Sequence, residues 1–162
     1  MEDDVGATAP AGRGAAIAYA FINRRERTVS EVRERLARAE LPDAEVESVM
    51  AELISLGYLD DARYARLFAQ DRRALDSWGR ERIARTLRER GVERELIDAA
   101  LLSVEAAGGD ESERAAGLLE DRFPKGPREP RDRERAFGLL LRKGYGSETA
   151  ADAVRRWLGR GP

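Results

Sequence analysis

The sequence predicts an all-α protein, an elongated and curved array of three tandem three-helix repeats. Three observations point there. Apolar residues recur at helical spacing along most of the chain, while β-branched clusters and Asn-Gly hairpin signals are missing. Apolar positions and stop signals return at offsets of 51 and 53 residues. Charge sign oscillates in step with them. Residues 13–38 carry a net +4, 39–62 carry −7, 63–94 carry +5, 95–121 carry −7 and 122–143 carry +5, within a total of −2.

The elements follow in order. Residues 1–13, acidic and then rich in Ala, Gly and Pro, are expected to be a disordered tail. The first repeat is expected over 14–59. Thr28-Val29-Ser30-Glu31 has the form of a capping box, with Val29, Val32 and Leu36 on one helix face. Glu31→Arg35 and Glu34→Arg38 are expected as i,i+4 pairs on the other. Asp43, after Pro42, is expected to cap a third helix, with Val46, Val49, Met50, Leu53 and Ile54 facing inward and Gly57 as its left-handed stop.

The second repeat is expected over 60–108. Asp60 and Asp61 open a helix carrying Tyr64, Leu67, Phe68 and Leu75. A Ser77-Trp78-Gly79 break precedes a helix that buries Ile83 and Leu87 and stops at Gly91. Leu96, Ile97, Ala100, Leu101 and Val104 mark the next, before Gly108-Gly109. The third repeat, over 109–162, has Leu118 and Leu119, a loop at 123–130, Phe137 and Leu140, a stop at Gly144, and Val154 and Trp157.

Aligning Leu36, Leu87 and Leu140 tests the register. Val32 then matches Ile83 and Ala136; Val46 matches Ile97 and Ala150; Leu53 matches Val104 and Trp157. Gly91 matches Gly144, but the first copy has Glu40 there, so a different turn is expected. Chance matches are common in a Leu- and Ala-rich chain. The agreement of period, stops and charge blocks favours a true repeat. Each copy is too small to bury much core alone, so stacked copies must share interfaces.

Composition excludes much chemistry. The chain has no cysteine and no histidine, which removes disulfides, thiolate nucleophiles, Cys/His zinc sites and imidazole acid–base catalysis. Carboxylate-only metal binding stays open. Lys125-Gly126-Pro127 and Lys143-Gly144-Tyr145 lack the strand and Ser/Thr of a phosphate loop. The carboxylates sit among arginines at helical spacing, as on a solvated, salt-bridged face. No enzyme and no cofactor are expected. Without a signal-peptide pattern or an apolar run near the roughly 20 residues of a membrane span, a soluble, cytoplasmic monomer is expected.

All but Lys125 and Lys143 of the 29 basic residues are arginine. Arg80, Arg82, Arg85, Arg88 and Arg90 crowd one helix after Trp78. With Ile83 and Leu87 defining its buried side, Arg82 and Arg85 are expected to project outward. Such a stretch suits a phosphate backbone or an acidic surface, with Trp78 available for stacking; a solvated helix is the plain alternative. The intervening acidic segments argue against a simple duplex coat and suit a protein filament that holds nucleic acid.

These residues resemble a known family. The run Leu56-Gly57-Tyr58-Leu59-Asp60-Asp61-Ala62-Arg63-Tyr64-Ala65 resembles the junction between the first two repeats of RecX regulatory proteins. Trp78-Gly79-Arg80-Glu81-Arg82-Ile83, with Leu87 and Gly91-Val92, is similar to the family's middle repeat, and Asn23-Arg24-Arg25-Glu26-Arg27 to its opening one. The resemblance covers residues 14–158. Arg80 stands where many relatives carry proline and Glu40 where glycine is frequent; the third repeat is least similar.

The resemblance implies binding to RecA recombinase filaments along their groove, and to single- or double-stranded DNA mainly through the filament. It implies inhibition of strand exchange and ATP hydrolysis, a damped SOS response, no cofactor and no catalysis. Arg63, Arg82, Arg85 and Arg88, with Trp78, are the expected contact residues, with basic second helices lining the concave side; interface packing is the plain alternative for Trp78. Gly57, Asp60, Asp61, Tyr64, Gly79, Ile83, Leu87 and Gly91 are expected as structural positions, Tyr64 in interface packing and Asp60 as a cap. Two alternatives are a helix-turn-helix DNA binder and a generic helical scaffold for another protein. A single Asn and a single Gln, Asn23 and Gln70, equip the chain poorly for reading adenine edges.

Overall fold

The computed structural model describes residues 12–159, so nearly all of the expected tail lies outside them. Among the described residues nine helices follow one another and no strand occurs: α1 (Arg13–Ile22), α2 (Val29–Ala37), α3 (Asp43–Ser55), α4 (Asp61–Asp76), α5 (Arg80–Glu89), α6 (Arg94–Gly108), α7 (Glu111–Arg122), α8 (Pro130–Lys143) and α9 (Ser147–Gly159). They form tandem three-helix groups. Two compact units result: Met1–Tyr64 with Arg90–Val92, and Ala65–Glu89 with Glu93–Pro162.

In the first unit α1, α2 and α3 pack on one another. The Thr28 box forms in full: its hydroxyl accepts from the Glu31 amide, and the Glu31 carboxylate accepts from the Thr28 amide at 3.0 Å. Asp43 does not cap α3. Pro42 holds the cap position through its carbonyl, and Asp43 is the first helical residue, where its charge still favours the helix dipole. After α3 the Gly57 amide donates to the Ile54 carbonyl and the Tyr58 amide to that of Leu53, with Gly57 at φ +74°. This paired closure requires a left-handed residue.

Of the two expected i,i+4 pairs, Glu34–Arg38 forms at 3.7 Å and Glu31–Arg35 does not. Glu31 is committed to its cap, to Arg25 at 2.7 Å and to Arg27 at 3.8 Å.

All twelve aligned positions are buried: Val32, Leu36, Val46 and Leu53; Ile83, Leu87, Ile97 and Val104; Ala136, Leu140, Ala150 and Trp157. In the second unit α5 packs on α6, and α7 and α8 pack on α9. There Tyr145 and Trp157 take the volume that alanines leave, as interiors packed to native density require.

Glu40 adopts φ +52°, left-handed like Gly91 (φ +77°) and Gly144 (φ +88°), but its turn differs as expected: α2 ends at Ala37 and the Glu40 amide donates to the Ala37 carbonyl, whereas Gly144 directly follows α8. Glycine is needed at Gly91 and Gly144 for a second reason. A Cβ on Gly91 would lie 2.3 Å from the Ser30 Cβ, and one on Gly144 would lie 2.2 Å from the Arg82 Cβ. Glu40 is exposed, so only the backbone strain of a non-glycine residue remains, about 1 kcal/mol. Glu40→Gly should therefore raise unfolding stability by up to about 1 kcal/mol, while Gly144→Ala should lower it by about 2–4 kcal/mol. Urea denaturation followed by circular dichroism measures both; a neutral Gly144→Ala would show that the close approach is not required.

Candidate partner-binding site

The site residues are set by how α2 and α5 begin. A helix leaves its first amides without partners inside the helix. At α2 the Val29 amide donates to Asp61 Oδ1 at 2.9 Å, and the Thr28 hydroxyl donates to the Arg90 carbonyl at 2.7 Å. At α5 the Arg80 amide donates to Glu111 Oε1 at 2.8 Å. The neighbouring Gly79 and Glu81 amides donate to the carbonyls of Lys143 and Gly144, at 2.9 and 3.0 Å. Thr28 and Gly79 are 51 residues apart, as are Val29 and Arg80; Arg90 and Lys143 are 53 apart. One joint thus occurs twice. A helix start meets the carbonyl end of a later helix, with a carboxylate from the first residue of a third helix closing it.

Asp60 acts as expected, its carboxylate accepting from the Arg63 amide at 2.9 Å ahead of α4. Asp61 does more than open the helix, since it caps α2. Tyr64 is buried, and its hydroxyl accepts from Arg90 Nη1. Ile83 and Leu87 are buried on α5. Gly79 has no room for a side chain, because a Cβ would lie 2.4 Å from the Gly144 carbonyl oxygen.

The arginines divide. Arg63 lies in the first unit, exposed, with Glu26 at 3.4 Å. The α5 arginines lie in the second unit. Arg82 does not project outward: it is half-buried, its guanidinium 4.0 Å from the Trp78 ring centroid, and Nη1 donates to the Arg142 carbonyl at 3.2 Å. Trp78 is half-buried too and meets Phe68 edge-on at 6.1 Å. With Arg82 on its ring it is a packing residue, not an open platform for a base. A cation over an indole is worth roughly 0.5–2 kcal/mol depending on desolvation. Arg80 is bound to Glu105 at 2.5 Å.

Arg85 and Arg88 remain. Both are exposed and neither makes an ion pair or hydrogen bond among the described residues. One turn apart, they share the α5 face opposite Ile83 and Leu87. That face is free to meet phosphate or carboxylate groups.

The joint carboxylate Glu111 was not singled out from the sequence, although its spacing of 50 from Asp61 was a readable signal. Burial pushes its pKa above the ordinary glutamate range. The Arg80 amide pulls it down, Glu105 raises it, and the charges of Arg80 and Arg73 lower it. Burial and the charge of Glu111 likewise push the Tyr145 phenol up to about 12, against the lowering effect of Arg73.

A glutamate with a raised folded pKa binds more protons folded than unfolded, so its contribution to stability falls as pH rises through the interval just above 4.5. Glu111→Gln keeps an acceptor for the Arg80 amide and removes that ionisation. It should be at least as stable as the parent at pH 7, with the advantage vanishing at pH 4. Glu111→Ala should lose the cap, about 1 kcal/mol. Denaturation at both pH values checks this; a Gln variant weaker only at pH 7 would contradict it.

Among the described residues no cluster suits a metal ion, and no helix is long and apolar enough to cross a membrane.

Comparison with known proteins agrees with this geometry. Residues 16–53 match the family model of the RecX first three-helix domain, and residues 60–101 that of the second. The chain is 33% identical over 147 residues to a regulatory protein RecX of Mycolicibacterium vanbaalenii, covering 86% of this chain and 79% of that protein. It is 35% identical over 134 residues to one from Trichlorobacter lovleyi, covering 81% and 86%. The crystal structure of RecX from Lactobacillus salivarius has the same fold, with a TM-score of 0.73 at 18% identity over 90% of this chain and 94% of that one. The chain belongs to the RecX family of regulatory proteins.

Proposed function

We propose that this protein binds RecA recombinase filaments on DNA and restrains their strand exchange, ATP hydrolysis and co-protease activity in the SOS response. In this reading it acts by binding alone, as a cytoplasmic monomer without a cofactor. The three repeats (14–59, 60–108 and 109–162) are its contact units, and DNA is met mainly through the filament.

The observation that carries the reading is the unpaired Arg85–Arg88 face of α5 in a chain of this family. Two guanidiniums on a rigid helix present planar forks that fit carboxylates and phosphates equally well. That dual fit suits a surface on which protein and nucleic acid alternate. Arg63 contributes less, because Glu26 already neutralises it. Arg82 and Trp78 pack on one another at the start of α5 instead.

RecA-driven ATP hydrolysis on single-stranded DNA, with the protein titrated in, tests the proposal. Inhibition is expected at or below stoichiometric protein. Arg85→Ala with Arg88→Ala should raise the half-inhibitory concentration about 10-fold, roughly 1.4 kcal/mol, with helicity unchanged. Arg82→Ala should instead lower thermal stability through loss of its stack on Trp78. Absence of inhibition at stoichiometric protein would sink the function, and full inhibition by the double variant would remove α5 from the site.

A further inference from the structure

A second basic surface lies in the first unit, apart from the residues assigned above. A groove runs along α1, floored by Ala16, Ile17, Ala20 and Phe21. Arg13 and Arg24 stand at its two ends and Arg35 of α2 on its far side. No carboxylate among the described residues lines it. None of the three arginine side chains has a hydrogen bond or ion pair among the described residues. The reason for Arg35 is already visible: its i−4 neighbour Glu31 is turned to Thr28, Arg25 and Arg27. Ile17 and Phe21 are anchored on the core, while Ala16 and Ala20 are exposed and leave depth between the longer side chains.

We propose that this groove docks an acidic peptide segment of a partner protein, with apolar side chains on the floor and carboxylates at the arginine rim. Among the described residues its charge is one-signed, so an acidic ligand gains at every rim position without displacing one of their carboxylates. The length of α1, about 15 Å, matches two to three turns of a bound helix or four to five extended residues. Such a ligand would enter by its apolar stripe, as amphipathic segments enter helical grooves. The floor is poorly made for single-stranded nucleic acid. Bases need open aromatic faces, and the floor's one aromatic ring, Phe21, has the Arg27 guanidinium 3.8 Å from its centroid. The inference stands apart from the recombinase reading and needs no filament for its test.

The test is fluorescence anisotropy on the full chain at about 0.1 M salt, where surface charge still acts over roughly 10 Å. The probe is a labelled twelve-residue peptide with glutamates at both ends and leucines at helical spacing between them. A second peptide with lysine for each glutamate and a labelled (dT)20 oligonucleotide are the comparison ligands. The acidic peptide should bind and the lysine peptide should not. Arg13→Glu, Arg24→Glu and Arg35→Glu together should weaken binding at least 10-fold, while Arg85→Glu with Arg88→Glu should leave it unchanged.

Ala20→Arg is the sharper variant. It adds a positive charge but fills the floor, so a seated peptide loses at least 10-fold and a diffusely attracted one gains. Tighter binding by Ala20→Arg, or an unchanged affinity in the triple variant, would overturn the proposal. So would loss of (dT)20 binding in the triple variant without loss of the peptide. Circular dichroism of each variant guards against misfolding. ATP-hydrolysis assays on the same proteins report separately on α5: intact inhibition with no peptide binding sinks this inference alone.

Discussion

The joint between the start of one helix and the carbonyl end of a later one is the constraint on which the rest depends. The first amides of α2 and α5 have no partners within their own helices, and burying them unpaired would cost about 1–3 kcal/mol each. They are satisfied by Asp61 and Glu111, by the carbonyls of Lys143 and Gly144, and at α2 by the protein's own Thr28 box, whose hydroxyl reaches on to Arg90. Contact this close is possible only where the turn after the later helix lacks a Cβ. Gly91 and Gly144 are therefore fixed by their neighbours as well as by their own backbone.

The same constraint decides which arginines are available. Arg82 and Arg80 lie within one turn of the α5 joint, and the joint consumes them: Arg82 on Trp78 and the Arg142 carbonyl, Arg80 on Glu105. Arg85 and Arg88, farther along α5, are beyond its reach and stay open. Packed and open arginines are thus segregated along a single helix among the described residues. A charge change at its far end leaves the joint alone, whereas one at its start disturbs packing first.

Glu111 shows the energetic tension in such a joint. A carboxylate is a strong acceptor for a helix amide, yet burial beside Glu105 disfavours its charge. In the first unit the equivalent acceptor is the shorter Asp61, and the Thr28 hydroxyl shares the work. Two solutions to one geometric problem explain why the two joints are related in position but not in residue type.

The repeat period and most of the buried register were determined by the sequence itself, although Ile54, expected to face inward, is exposed and Pro42 rather than Asp43 caps α3. Period and register depend on local rules: apolar spacing at 3.6 residues, a Thr-x-x-Glu cap, and glycines after the last turn. So the Thr28 box, the Gly57 stop and the positions Leu36, Leu87 and Leu140 were all legible. The partners of each arginine were not. Glu31 could pair with Arg35 or with Arg25 and Arg27, and sequence spacing favours the first. The capping geometry holds its carboxylate toward the second. Arg82 was misread for a similar reason, since its guanidinium also meets a carbonyl far away in the chain, that of Arg142. Local periodicity sets which face of a helix is buried; only tertiary packing decides which charges on the remaining face are already spent.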